Sequence, residues 1–150
     1  MGTQVESSLD YLHPILQGVC LRIQTEIIRK HDMPFRLFET GRSRERHQHL
    51  LQKGRTQDVF SNHLYDLSIP ESPLYAIAVD FVYYNGNWSW NLRDKTILSW
   101  YELFGNLVLD KCPELEWSAM NRKRSNYNHF SLRQLVIEEN FDKFPCVLRA

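Results

Sequence analysis

Leu12, Ile15, Val19, Ile23 and Ile27 recur at three- and four-residue intervals, and Leu16 and Cys20 widen the stripe. That spacing predicts an amphipathic helix over Pro14–Lys30 with one face on a core. Pro14 falls in the first turn, where its missing N–H costs nothing, and His31-Asp32 lie near the end. His13, next to the proline, reads as a surface or capping residue. Pro34 to Thr40 alternates apolar and polar positions, as a half-buried strand does. It runs through Gly41-Arg42-Ser43 into a polar helical stretch, Arg44 to Lys53, closed by Gly54, on which Arg44 and Arg46 read as a solvated face. Ala76 to Tyr83 is almost continuously apolar and reads as a buried strand. Asn85-Gly86 is a strong turn dipeptide, so Trp88 to Trp90 is expected to pair back as a hairpin. Asp94 can cap a second helix, Lys95–Leu109, on which Ile97, Tyr101, Phe104 and Val108 form one stripe, widened by Trp100 and Leu107. Cys112-Pro113 lies beyond its end. The pattern predicts an α+β fold: a small, mainly antiparallel sheet with two main helices packed on it.

Composition narrows the function more than the fold. At 150 residues the chain is expected to form a single domain, 1–150, large enough to bury a core without disulfides. Eighteen basic and eighteen acidic residues cancel, so no global field favours nucleic acid or an anionic membrane. The basic triplet Arg122-Lys123-Arg124 has no interleaved aromatics and reads as a solvated loop. Cys20, Cys112 and Cys146 are odd in number and lack C-x-x-C spacing, so reduced, buried thiols are expected. The first residues show no basic region followed by an apolar core, and no apolar run approaches a membrane span. These features predict synthesis in the cytoplasm and no membrane insertion; the sequence does not fix the oligomeric state, and a monomer is favoured.

Three short stretches carry candidate chemistry: Ser61-Asn62-His63, Ala76 to Phe81 around Asp80, and Tyr127-Asn128-His129-Phe130. Two imidazoles and a carboxylate are the ligands with which zinc hydrolases hold a metal and leave one position open. Asp80 ends a run of small and apolar residues, and His129 sits in a strand-like segment, so rigid backbones would present both. His47 and His49 lie two apart on a helix, point to different sides and are not expected to share a metal.

The order Ser-x-His, Ala-x-Asp-Phe, x-x-His-Phe resembles the LAS metallopeptidases, the group of lysostaphin, D-Ala-D-Ala dipeptidase and the hedgehog N-domain. It is most similar to the branch of D-alanyl-D-alanine carboxypeptidases and phage L-alanyl-D-glutamate endopeptidases, and the likeness runs from about Leu9 to Phe130. Arg42, in Gly41-Arg42-Ser43, matches an Arg that in the family points into the active site. Leu50, Gly54, Arg55 and Thr56 match later positions, and His47 stands where a Gln is usual. Trp117 keeps the family's twelve-residue spacing to the last His. The resemblance implies a hedgehog/D-Ala-D-Ala peptidase-like fold and Zn²⁺ held by His63, Asp80 and His129. It places Arg42, His47 and Ser61 beside the substrate, which would be peptidoglycan peptide in a bacterial lysis or phage-derived setting. A chain made in the cytoplasm would act on the wall only after release.

Two departures bear on catalysis. The family places His and Asp seven residues apart, whereas here seventeen separate His63 from Asp80. Leu64 to Tyr75, with two prolines, should therefore be a loop at the rim of the site. The family's general base, an Asp or Glu three residues before the last His, is replaced by Asn126, and an amide cannot accept the proton. General-base assistance is worth about 10²–10⁴ in rate. Asp66 or Glu71 is a candidate relocated base. The expected function is a zinc-dependent peptidoglycan peptidase, carboxypeptidase or endopeptidase. The alternative is a catalytically silent zinc-binding relative that binds wall peptide or serves structurally.

Overall fold

The computed structural model describes residues 4–55, 61–120 and 126–148. Thr56 and the Arg122-Lys123-Arg124 triplet lie outside them. Helix α1 begins at Pro14 and is regular to Arg22, then continues as a wider π-helical segment, Ile23–Arg29. Near this transition the Thr25 hydroxyl donates to the Leu21 carbonyl at 2.8 Å, a back-bond of the kind that loosens helices. Leu12, Leu16, Val19, Cys20, Ile23 and Ile27 of the predicted stripe are in the core, and Ile15 packs half-buried against it.

His13 departs from expectation in part. It caps α1, Nδ1 accepting from the Ile15 N–H at 3.1 Å, but it is fully buried, with its ring edge-on to Tyr75 and Phe144. The aromatic pocket around the cap, contributed from far along the chain, is what takes it off the surface.

Strand β1 (Phe35–Glu39) is followed by α2 (Arg44–Gln52), whose first turn is capped by Ser43 Oγ accepting from the Arg46 N–H. Strand β2 (Ala78–Tyr84) turns at Asn85-Gly86 into the short β3 (Trp88–Ser89), the predicted hairpin. Gly86 sits at φ +79°, the left-handed region such a turn requires. Helix α3 (Lys95–Lys111) runs two residues past the expected end, and Asp94 accepts from the N–H groups of Thr96 and Ile97. Strands β4 (Leu115–Trp117) and β5 (His129–Leu132) precede a short α4 (Gln134–Glu139).

The sheet is antiparallel, in the order β1-β2-β5-β4, with β3 on the C-terminal end of β2. The α+β expectation therefore holds. Side chains alternate between the two faces of a strand. Val79, Phe81 and Tyr83 of β2 are partners of the core aromatics: Phe81 packs on Phe104 and Phe130, and Tyr83 on Phe35. Phe35 in turn stacks on Phe104 at 4.2 Å. Asp80, Val82 and Tyr84 take the opposite face. Core packing thus leaves Asp80 on the side away from α3.

Trp117 locks the last site-bearing strand. Its ring stacks parallel on Phe130, and Nε1 donates to the Tyr127 carbonyl at 2.9 Å. The ring reaches α3 where Gly105 leaves room, since a Cβ there would lie 2.2 Å from the indole. Cys20, Cys112 and Cys146 are free and buried, as expected. No helix among the described residues is long and apolar enough to cross a membrane.

Candidate metal centre

His63, Asp80 and His129 arrive from three separate stretches and meet. Asp80 and His129 are direct cross-strand partners in β2 and β5 and so share a face. His63 comes from a segment laid between two backbones. The Arg42 N–H donates to the His63 carbonyl at 2.7 Å, and the Ile77 N–H donates to the Asn62 carbonyl at 2.8 Å. The potential ligand atoms of the three residues all lie within 4.8 Å of one another. Asp80 Oδ1 is 3.0 Å from His129 Nδ1 and 3.4 Å from His63 Nε2.

The hydrogen bonding fixes one of the two imidazoles. His63 Nδ1 is 2.7 Å from the Thr40 carbonyl, which can only accept, so the proton sits on Nδ1 and the lone pair of the neutral ring on Nε2. Nε2 is buried without a hydrogen-bond partner and faces Asp80 and His129. An orphaned buried nitrogen is costly, and a cation between the three groups would satisfy it. A backbone carbonyl holding the far nitrogen is the usual support of a metal-ligating histidine. Burial disfavours a charged His63, but Asp80 and Glu39 outweigh it and raise its pKa. Burial likewise pushes the Asp80 carboxyl up, and the two histidines more than reverse this, holding it well below the usual carboxylate range. Asp80 thus stays an anion drawing positive charge toward the gap, and the donor set fits a metal ion. Side-chain exposure rises from 3% at His63 to 12% at Asp80 and 20% at His129, so the centre opens to solvent beside His129.

Arg42 stands next to the centre on a carboxylate that sequence reasoning missed. Glu39 is 2% exposed; its Oε1 accepts from Arg42 Nη2 at 2.8 Å and its Oε2 from Arg46 Nε at 2.5 Å. Burial would raise the Glu39 pKa, but Arg42, His63 and Arg46 outweigh it and keep it low. Arg46 is therefore a correction: it turns inward to Glu39 instead of lying on a solvated helix face, because the buried carboxylate needs a second cation. Arg44 is solvated as expected, with only a distant contact of 3.7 Å to Asp66.

The signal for Glu39 was partly present, since it falls on the apolar parity of Phe35 and Leu37. A bulge then re-aims it. Leu37 pairs with Phe81 but Glu39 with Asp80, so Phe38 is an extra residue and Glu39 is carried to the Asp80 face.

The other candidates are distributed unevenly. Arg42 Nη1 is 3.4 Å from His47 Nδ1 and 3.5 Å from Ser61 Oγ, which places these three together. His47 is buried. Ser61 Oγ also accepts from the His63 N–H. The 64–75 segment closes on itself through paired backbone bonds between Asp66 and Leu74, and Leu64, Tyr65 and Leu74 line a hollow against α2. Asp66 Oδ1 accepts from both the N–H and the hydroxyl of Ser68, and Glu71 lies exposed in the outer turn. Asn126 is exposed, its Oδ1 accepting from the Asn128 N–H at 3.4 Å. Among the described residues the His/Asp/His group has no fourth His, Cys, Asp or Glu in it.

Neither a protein-family model nor a curated protein matches the sequence. Among solved structures the chain is similar to the L-Ala D-Glu endopeptidase ChiX of Serratia marcescens, with a TM-score of 0.63 and 23% identity over 91% of each chain. The two share a fold along nearly their whole lengths.

Proposed function

We propose that this chain is a zinc-dependent peptidase of bacterial cell-wall peptide, of the endopeptidase kind, with His63, Asp80 and His129 as the zinc ligands. The observation that carries it is the buried, unpartnered Nε2 of His63 facing Asp80 and His129. A fold shared with an L-Ala D-Glu endopeptidase supports the choice of substrate. Lewis-acid polarisation of the scissile carbonyl is the chemistry that zinc supplies in such a site. The chain's own residues do the rest. Thr40 holds His63 in the tautomer that offers Nε2 to the centre. Glu39 holds Arg42, whose remaining guanidinium edge, near Ser61 and His47, faces substrate and steadies the negative charge that develops on the attacked carbonyl.

Asn126 favours a second reading, a silent binding relative, because its amide cannot take the proton from attacking water. Incubation with purified peptidoglycan fragments separates the two. The peptidase releases new D-Glu amino termini, stops on chelation and resumes with added zinc. A chain that carries zinc and releases none is a binding domain.

A further inference from the structure

The face of β2 that carries Asp80 continues into an aromatic surface that the metal centre does not use. Tyr84, four residues on, shares the Asp80 face and pairs directly with Trp88. Four residues of strand span about 13 Å. Phe38, the bulged residue of β1, packs edge-on against both Trp88 and Trp90 at 5.1 Å, and Tyr84 packs edge-on against Trp88 at 5.0 Å. The rings are fixed by one another, yet Trp88 and Trp90 remain 39% and 48% exposed. Two large indoles at the surface are not explained by packing, since the core is complete on the other face.

The surroundings restrict what could cover them. Residues 84–92 carry no charged side chain; the polar groups are the Tyr84 hydroxyl, the amides of Asn85, Asn87 and Asn91, and the hydroxyl of Ser89, which pairs with Tyr83 on the other face. Arg36 lies over the Tyr84 ring at 4.0 Å, and the mixed-sign Arg93-Asp94-Lys95 follows the segment. Two exposed indoles, held edge-on by Phe38 and Tyr84, with neutral donors and acceptors around them suit a pyranose, which has an apolar C–H face and a hydroxylated, N-acylated edge. An anionic membrane would call for clustered cations.

We propose that Phe38, Tyr84, Trp88 and Trp90 form a saccharide-binding platform that seats an N-acylated glycan strand beside the metal centre. That the strand is the wall glycan bearing the scissile peptide rests on the peptidase reading; saccharide binding itself does not. The platform would anchor insoluble wall while the attached peptide reaches the His129 side of the centre.

The test uses the full chain and soluble β-1,4-linked N-acetylglucosamine oligomers. The four indole N–H resonances, from Trp88, Trp90, Trp100 and Trp117, are followed by NMR during titration. The platform predicts saturable shifts at Trp88 and Trp90 and none at Trp117, which is buried. It also predicts that Trp88→Ala and Trp90→Ala each weaken binding to the oligomer and to insoluble peptidoglycan by at least about tenfold. Absence of saturable shifts at Trp88 and Trp90 overturns the proposal, and this arm needs no variant to fold. Oligomer binding that the variants lose while wall binding is untouched overturns the wall assignment. A concentration-dependent rise in mass abolished by Trp90→Ala makes a second copy of the chain the occupant and also overturns it. Separately, wild type is assayed on a short soluble stem peptide. Binding of the oligomer without hydrolysis of the peptide removes the peptidase reading and keeps the platform; the reverse removes the platform alone.

Discussion

In the proposed peptidase Glu39 steadies Arg42, and Asn126 stands three residues before the candidate ligand His129. Glu39 is a buried anion between two guanidinium groups, each about one-tenth exposed, so its loss leaves two cations poorly solvated. Glu39→Gln is expected to destabilise the fold by about 3 kcal/mol at neutral pH, the scale for breaking a buried ion pair. The pH dependence follows from the direction of its shift. A carboxyl held low in the folded state stabilises above its unfolded pKa of about 4.3, and that stability is lost as pH falls through the folded value. Urea melts of the two forms should therefore differ most near neutrality and converge in acid; equal stability at pH 7 would contradict the assignment. Asn126 is exposed and its Oδ1 accepts a long hydrogen bond from the Asn128 N–H, so Asn126→Asp can keep that acceptor. If the rest of the centre is competent, the new carboxylate should raise hydrolysis of wall fragments by about 10²-fold or more. A variant that holds zinc but turns over no faster than wild type would show that Asn126 does not occupy the base position of a working site.

At the scale of elements, the hairpin, the two main helices and the central strand were legible because apolar side chains report directly which face is buried. Ile97, Tyr101, Phe104 and Val108 marked α3 for this reason, and Asn85-Gly86 marked the turn by its backbone preference. Events decided by a distant partner were not legible. The bulge at Phe38 exists only in the pairing with β2, so the strand pattern could not show that Glu39 changes face. Arg46 looked like surface because the carboxylate it serves is hidden by that same bulge. Gly105 gave no sign either, since its purpose is a ring twelve residues further on. Gly105→Ala tests this directly. Alanine favours a helix interior by about 1 kcal/mol over glycine. Here the added methyl meets the Trp117 indole, so a net loss of about 1–3 kcal/mol is expected, the usual cost of overpacking. Because Trp117 clamps the segment ending at His129, metal affinity should fall with it. A variant more stable than wild type would mean that the indole moves aside freely.

Over the whole molecule, the fold is a scaffold whose helix-covered face supplies stability and whose opposite face gathers chemistry. β2 carries both, with Phe81 inward and Asp80 outward one residue apart. That His63, Asp80 and His129 would meet was legible from the order of their three short motifs and its resemblance to a metallopeptidase ligand set. The support from Thr40 was not, because a backbone carbonyl has no side-chain signature, and the part played by Glu39 was hidden by the bulge that turns it. The candidate ligands come from residues 63, 80 and 129, so an ion held there would tie together segments far apart in the chain and stabilise the folded state by mass action. The most direct test of the account is the metal content of protein purified without chelator, measured by elemental analysis for wild type and for His129→Ala. One zinc per wild-type chain, lost in the variant while its circular dichroism stays native, is the result the account predicts. Equally little zinc in both folded proteins would contradict it.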